Sequence, residues 1–263
     1  MTFECKEFRK YNKDNERILD KAKGSAVENI QKEKEIKQKK GKKEDITFRV
    51  NKKGRHVVPL LDFLRCVVPP IYYPLMPYRF FGNTKIKGGA AIFVSNHFSI
   101  FDIIFPGVLT WDGVHYISKK ENADVPVLGA VMRKVKSILA NRDGSDVRVL
   151  LDSLKCLKNG DKIVIYPEGT RNKTNQPMME FHHGAALMAI KAKAPIIPIV
   201  IYKKPRFFHV THVIVGDPME LTEYYDKKLS EQELAEADNK IRNRMLELHR
   251  QHTEYLQSKK QKQ

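Results

Sequence analysis

Short runs of β-branched and other apolar residues recur along this chain, and segments with helical patterns separate them. The runs typical of strands are residues 91–95, 114–118, 162–166, 196–201 and 210–215. Such alternation predicts an α/β domain. The length of 263 residues and a hydrophobic content of 41% are enough for a substantial core, which excludes a wholly disordered chain.

Two of the intervening helices have recognisable ends. Ser145 is placed to cap one helix and Gly160 to end it. The C-terminal helix opens with Ser230 and Glu233 at capping-box spacing. Apolar residues then recur every seven positions, at Leu234, Ile241, Leu248 and Tyr255. This stripe predicts packing against the core, and the alternative is the seam of a dimer.

Residues 1–56 are rich in lysine and poor in aliphatic side chains; residues 31–56 alone hold eleven Lys or Arg and four Asp or Glu. This composition predicts a basic, flexible arm. The arm is either a solvated tail or an electrostatic tether for anionic lipid, and salt dependence would separate the two. No nucleic-acid partner is expected, because zinc-finger spacing is absent and the aromatic residues do not alternate with the lysines.

The composition changes at residues 57–85, which are rich in Val, Leu, Ile, Pro and aromatic residues. Tyr72, Tyr73 and Tyr78 suit the headgroup level of a bilayer, so we expect an apolar segment in the membrane interface. The alternative is a helical hairpin packed on the domain. Residues 66–78 form an uncharged stretch of thirteen residues with four prolines, too short to span a bilayer.

The formal net charge of +17 predicts a surface that attracts phosphates, anionic lipid headgroups or acidic proteins. Cys5, Cys66 and Cys156 lack the spacing of a disulfide framework or a zinc module, so we expect reduced thiols and no metal. The N-terminus has acidic residues where a secretory signal needs a basic start. These features favour a peripheral protein on the cytoplasmic face of a membrane.

A histidine and an aspartate follow the first of the predicted strands, in Asn96-His97-Phe98-Ser99-Ile100-Phe101-Asp102. Residues five apart on one helix differ by about 140°, so His97 and Asp102 can meet only across a turn. Ser99 as an N-cap, with Asp102 three residues later, would fold the carboxylate back toward His97. The pair could then act as a general base, with the carboxylate fixing the imidazole tautomer. The alternative is that both residues are structural.

A second polar segment, Tyr166-Pro167-Glu168-Gly169-Thr170-Arg171, follows another predicted strand. Gly169 permits close backbone approach, Thr170 offers a hydroxyl and an N–H, and Arg171 presents a planar fork to phosphate oxygens. We therefore expect an anion site. Glu168 would repel a phosphate, so we expect it to orient Arg171 or to accept a proton from a hydroxyl of a polar headgroup.

These segments resemble, in order, the motifs of the glycerolipid acyltransferase family, and in particular its 1-acylglycerol-3-phosphate (lysophosphatidic acid) acyltransferases. The first and third blocks are the two segments just described. The second block resembles Lys119-Lys120-Glu121, Pro126, Gly129, Ile138 and Arg142. The fourth resembles Ala194-Pro195-Ile196-Ile197-Pro198-Ile199. Four ordered blocks across residues 86–201 are a specific signal.

The resemblance implies a mixed, largely parallel central sheet with flanking helices over residues 86–263, preceded by an interfacial helical segment. It implies transfer of a fatty acyl group from an acyl carrier protein or coenzyme A thioester to the 2-hydroxyl of lysophosphatidic acid, without metal or bound cofactor. The catalytic pair falls on His97 and Asp102. The substrate-binding positions fall on Glu168, Gly169, Thr170, Arg171, Lys119 and Arg142.

One departure from the family pattern is Phe181-His182-His183-Gly184, where relatives often carry a lysine after the phenylalanine. The first alternative function is the same chemistry on glycerol 3-phosphate or another lysolipid. The second is a binding protein for anionic membranes or nucleic acid, without catalysis. The absence of a Gly-x-Ser-x-Gly segment favours direct transfer without a covalent acyl-enzyme.

Overall fold

The computed structural model describes residues 46–261, except residues 53, 142–146, 175 and 183. The strands are β1 (Arg49–Val50), β2 (His56–Val57), β3 (Tyr78–Gly82), β4 (Ala91–Ser95), β5 (Val114–Lys119), β6 (Ile138–Ala140), β7 (Lys162–Ile165), β8 (Ile196–Ile201) and β9 (Thr211–Val215). Seven of them form one sheet in the order β3-β9-β8-β4-β7-β5-β6. Neighbours are parallel except β8 and β9, which confirms a mixed, largely parallel sheet.

The apolar runs predicted five of these strands, and β4 and β8 have the predicted bounds. Strands β3 and β6 were not predicted. β3 has the composition of the interface segment, yet it pairs along its whole length with β9, so the sheet includes residues before 86. β6 is three residues long and gives too little pattern to detect.

Six helices are described: α1 (Pro59–Leu75), α2 (Ile104–Val108), α3 (Pro126–Lys134), α4 (Val147–Lys158), α5 (Gly184–Ala192) and α6 (Glu231–Gln261). They cover both faces of the sheet, because alternate residues of β4 enter different apolar clusters. Ile92 and Val94 pack with residues of α4, α5 and α6. Ala91 and Phe93 pack with residues of α1 and α2. Both faces of the sheet are therefore buried.

The predicted helix ends agree with the structure where it describes them. Gly160 follows α4 with φ of 85°, a left-handed conformation that glycine adopts easily; Ser145 lies outside the described residues. The capping box of α6 is present, with Glu233 N–H donating to Ser230 Oγ and Ser230 N–H to the Glu233 carboxylate. Ile241 and Leu248 are buried, which confirms core packing there, while Tyr255 is 42% exposed.

Helix α1 lies on the domain through one side only. The buried Arg65 donates from Nε to Gly107 O (2.6 Å) and from Nη2 to Asp112 O (2.6 Å), which attaches the helix to α2 and to the turn after it. Phe63 and Ile71 remain 60% and 63% exposed. The helix thus packs on the domain and also presents apolar surface. Among the described residues, none of the helices is long and apolar enough to cross a bilayer.

The end of the predicted basic arm packs on the domain: the compact unit begins at Ile46, and residues 1–45 lie outside the described part. β1 and β2 form a hairpin. Phe48 is buried and stacks on the His115 ring at 3.9 Å between centroids. His56 Nδ1 lies 2.5 Å from Oδ1 of the buried Asp161, whose Oδ2 is 3.2 Å from His115 Nε2. We call this contact between the hairpin and the domain the hairpin clasp.

Candidate functional site

The loop after β4 begins with a buried asparagine that joins two strands. Asn96 Nδ2 donates to Ile201 O and Pro177 O (3.0 Å each), and Asn96 Oδ1 accepts from Ile201 N–H (2.8 Å). Because β4 and β8 are parallel, their carboxyl ends lie at the same edge of the sheet. The amide therefore fixes the start of the His97 loop relative to β8.

Asp102 is fully buried and folds back toward His97, as the predicted turn requires. Its Oδ2 accepts hydrogen bonds from Phe98 N–H (2.6 Å) and Ser99 N–H (2.7 Å) and lies 3.0 Å from His97 Nδ1. Ser99 and Asp102 form the expected capping box, here on a short 3-10 helix, Ile100–Ile103. The predicted geometry of the pair is confirmed.

The surroundings of His97 determine which ring nitrogen carries its proton. A carboxylate only accepts hydrogen bonds, so Nδ1 must donate to Asp102 and a neutral imidazole keeps its lone pair on Nε2. The ring stacks on Tyr166 with 4.3 Å between centroids and is held in one plane. The His97 side chain is 18% exposed, so a substrate hydroxyl could reach Nε2. This arrangement suits a general base.

Glu168 has a different environment from the one expected. Its side chain is buried, and its two oxygens accept from His97 N–H (2.9 Å) and Met179 N–H (3.0 Å). Burial raises the pKa of the Glu168 carboxyl, although these two hydrogen bonds oppose the rise. Next to it, Asn172 N–H donates to His97 O (2.6 Å). The 166–171 turn and the His97 loop are thereby bonded to each other on both sides of His97.

The last three residues of the 166–171 turn face solvent. Gly169, Thr170 and Arg171 are exposed, and Gly169 has φ of 63°. A Cβ at Gly169 would lie 3.0 Å from Cδ2 of His182, so the departure from the family pattern places an imidazole against this turn. Arg171 directly precedes the Asn172 amide bonded to His97, which puts its backbone beside the His97 loop.

The positions of the second block lie farther from His97. Lys119 is exposed at the carboxyl end of β5, at the same edge as His97 but two strands from β4, about 10 Å across the sheet. Arg142 lies outside the described residues. The structure brings together His97, Asp102 and Glu168, with Gly169 to Arg171 beside them.

Two contributions escaped the sequence reasoning. Tyr166 stacks on the His97 ring, and its only sequence signal is its position before Pro167. An apolar groove of about 280 Å³ also begins beside the site, at the residue before Asp102. Its lining residues are Val68, Ile71, Tyr72, Leu75, Met76, Phe101 and Phe207. Since these come from three distant segments, a single local pattern could not reveal it.

One group of described residues has the composition of a metal site. His115, Cys156 and Asp161 are buried, with potential ligand atoms within 4.8 Å of one another. In the structure, His115 Nδ1 donates to Lys136 O (2.8 Å), and Asp161 binds His56 and the Asn159 amide. Asp161 and His115 are at the amino ends of β7 and β5, opposite the His97 edge. The group belongs to the hairpin clasp.

A family model described as acyltransferase matches residues 78–202. The chain is 31% identical over 125 residues to a 1-acyl-sn-glycerol-3-phosphate acyltransferase of Helicobacter pylori, covering 46% of this chain and 52% of that protein. It is 25% identical over 151 residues to the protein of the same name from Bacillus subtilis, covering 54% and 71%. The chain thus spans about half the length of the first relative.

Among solved structures, the chain resembles the 1-acyl-sn-glycerophosphate acyltransferase of Thermotoga maritima. The TM-score is 0.53 at 21% sequence identity, covering 73% of this chain and 79% of that chain. At this identity the likeness shows a shared fold. The family match runs from β3 to β8 and includes the ordered motifs, so residues 78–202 are similar to the acyltransferase family.

Proposed function

We propose that the chain transfers a fatty acyl group from a thioester of acyl carrier protein or coenzyme A to the 2-hydroxyl of 1-acylglycerol 3-phosphate, giving phosphatidic acid. The observation that carries this proposal is the His97–Asp102 pair, which leaves Nε2 as a proton acceptor at the exposed edge of the sheet. The names of the relatives support the choice of lysophosphatidic acid as acceptor.

In the proposed reaction, His97 Nε2 takes the proton of the 2-hydroxyl as its oxygen attacks the thioester carbonyl carbon. The tetrahedral intermediate then expels the thiolate, which receives the same proton from the imidazolium. Asp102 stays ionised and stabilises that imidazolium. A thioester is already activated, so direct attack needs no nucleophilic side chain.

The acceptor phosphate would bind at the exposed turn beside His97. Arg171 can offer two N–H groups to phosphate oxygens, and Gly169 and Thr170 line the same turn. Lys119 would add positive charge from the neighbouring part of the edge, and Arg142 is proposed there from the family pattern alone. Glu168 contributes by holding the His97 backbone instead of touching phosphate.

The proposed acceptor is a membrane lipid, so the site must work at a bilayer surface. The exposed apolar side of α1 and the net charge of +17 support peripheral association with an anionic, cytoplasmic leaflet. In this proposal α1, within residues 57–85, is the interfacial helix, and the part of residues 1–56 that precedes Ile46 is an electrostatic tether. The alternative acceptors are glycerol 3-phosphate and other lysolipids, because the His–Asp pair acts on the hydroxyl alone.

The test is to incubate the purified protein with lysophosphatidic acid and a labelled acyl thioester, using each donor separately. Phosphatidic acid should form, and His97→Ala should lower its rate at least about 100-fold, because general-base assistance contributes that much. Asp102→Asn should also be slow. Circular dichroism and thermal unfolding of both variants serve as the fold control. Undiminished turnover by His97→Ala would refute the role of His97 as the general base. If product forms with glycerol 3-phosphate and not with lysophosphatidic acid, the acceptor is glycerol 3-phosphate.

A further inference from the structure

The loop between β8 and β9, residues 202–210, combines exposed cations with exposed aromatic rings. Lys203, Lys204 and Arg206 are exposed, and the segment contains no Asp or Glu. Phe207 and Phe208 follow directly and are 57% and 73% exposed. Single exposed apolar side chains are common on protein surfaces, but two adjacent aromatic rings beside three cations form a contiguous patch, which indicates an interaction surface.

The aromatic end of this loop is held in place by backbone contacts. Phe208 N–H donates to Leu75 O at the end of α1 (2.7 Å), and Thr211 N–H donates to Pro77 O (2.7 Å). Phe208 has φ of 60°, a conformation that costs a non-glycine residue free energy and that these contacts maintain. The Phe207 ring lies 6.4 Å from the Phe101 ring. Both phenylalanines are therefore presented to solvent by a supported backbone.

The loop continues the apolar surface of α1. Phe207, Ile71 and Leu75 line the same groove, and the latter two side chains are 63% and 44% exposed. Ile100, next to Phe101, is 52% exposed. The result is a surface with an apolar centre, drawn from three separate segments, and cations along the loop on its border.

We propose that residues 202–210 form a membrane anchor, in which Phe207 and Phe208 enter the acyl boundary of an anionic leaflet while Lys203, Lys204 and Arg206 bind lipid phosphates. This inference rests on the proposed function and adds a docking element that lies outside residues 1–85. Burial of phenyl rings at that depth is favourable because it removes apolar surface from water, and long cationic side chains extend to the headgroups. Charge complementarity selects an anionic over a neutral surface.

The position of the anchor also orients the protein. β8 and β4 are parallel, so residues 202–210 and the His97 loop leave the sheet at the same edge. An acidic carrier protein would also attract the cations, but attraction of charge alone does not account for two adjacent exposed phenylalanines. The aromatic pair therefore favours a bilayer, which would face the edge where His97 accepts its proton.

The test measures vesicle binding of the full chain by co-sedimentation, using phosphatidylcholine alone and an equal mixture with phosphatidylglycerol. Phe207→Ser with Phe208→Ser should weaken binding to the mixed vesicles about tenfold or more, and this loss should persist at about 1 M salt. Lys203→Gln with Lys204→Gln should weaken binding about tenfold at low salt only, because salt screens exposed charges.

Matched controls lie on helices packed on the other face of the sheet. Leu151 on α4 is 59% exposed, so Leu151→Ser removes a comparable exposed apolar side chain. Lys158→Gln with Lys191→Gln removes the same charge from α4 and α5, where both lysines are exposed. Neither control should change vesicle binding by more than about twofold. An equal loss in a control and its partner variant would overturn the anchor.

Acyl transfer in detergent micelles separates this inference from the proposed function. Phe208→Ser alone, at a residue that does not line the groove beside the site, should retain turnover in micelles while weakening vesicle binding. If the wild-type chain transfers no acyl group but the loop variants still lose vesicle binding, the anchor stands and the proposed function fails. If the variants bind vesicles normally and instead lose turnover with an acyl carrier protein donor, the loop docks that protein and the membrane anchor is wrong.

Discussion

At the scale of residues, two buried carboxylates position the proposed base mainly through backbone N–H groups. Asp102 binds the N–H groups of Phe98 and Ser99 as well as His97 Nδ1. Glu168 binds the N–H of His97 itself. A carboxylate held by backbone donors has little rotational freedom, so the imidazole keeps one orientation before substrate arrives. Such preorganisation reduces the reorganisation needed in the transition state.

We predict that Glu168→Gln alters the pH dependence of stability. Burial raises the pKa of Glu168 in the folded protein above its ordinary value of 4.5. At pH values between the pKa of the unfolded chain and that of the folded protein, folding therefore takes up a proton. Its contribution to the free energy of unfolding therefore falls as the pH rises through that interval. The variant should lack this slope. It should also lose about 1–3 kcal/mol, because an amide NH₂ would face a backbone N–H.

Urea unfolding at a series of pH values from about 4 to about 7 measures both effects. Glu180→Gln is the control, since Glu180 is nearby in the sequence and exposed. Curves for wild type and Glu168→Gln that run parallel across this range would contradict the prediction.

At the scale of elements, the sequence predicted what local rules determine. The turn from His97 to Asp102 was predictable because its cap and its acceptor are three residues apart. The role of Glu168 was not, because its partner His97 lies 71 residues away in the chain. β3 was missed for a similar reason: its aromatic composition suits a bilayer interface equally well, and only pairing with β9 makes it a strand. Tertiary contacts decided both cases.

We predict that Gly129→Ala displaces α3 from the turn before it. A Cβ at Gly129 would lie 2.0 Å from the carbonyl oxygen of Ala123, a backbone atom that cannot rotate away. Overpacking of this kind costs about 1–3 kcal/mol, and the shift would move the segment that follows Lys119. Thermal unfolding should show the loss of stability.

Gly88→Ala provides the control, because its Cβ would meet the Asp112 carboxylate at an ordinary 4.0 Å. It should leave the melting temperature within about 2 °C of wild type. Equal melting temperatures for the two variants would contradict the prediction, because α3 would then accommodate the added methyl group without loss of stability.

At the scale of the whole molecule, the hairpin clasp places the boundary of the folded unit. A chain that begins at Ile46 should unfold like the full chain, whereas one that begins at Pro59 lacks Phe48 and His56 and leaves Asp161 short of partners. Losing a buried aromatic ring and a buried hydrogen-bonding partner of Asp161 costs at least about 3 kcal/mol. The melting temperature should fall by roughly 10 °C.

Scanning calorimetry of the two shortened chains measures this difference. Asp161→Asn in the full chain is the companion variant and should lose stability in the same direction, because it weakens the clasp without shortening the chain. If the chain that begins at Pro59 had the same melting temperature as the full-length protein, the hairpin would not stabilise the domain.

The loop that carries His97 is bonded to the strands on both sides of β4. Asn96 joins it to the end of β8, while Glu168 and Asn172 join it to the turn after β7. The backbone that carries the imidazole therefore stays in place while those three strands remain paired, and Asp102 and Tyr166 hold the ring itself. The proposed base then keeps its orientation for as long as the centre of the sheet stays folded. Heat inactivation should therefore coincide with unfolding of the sheet.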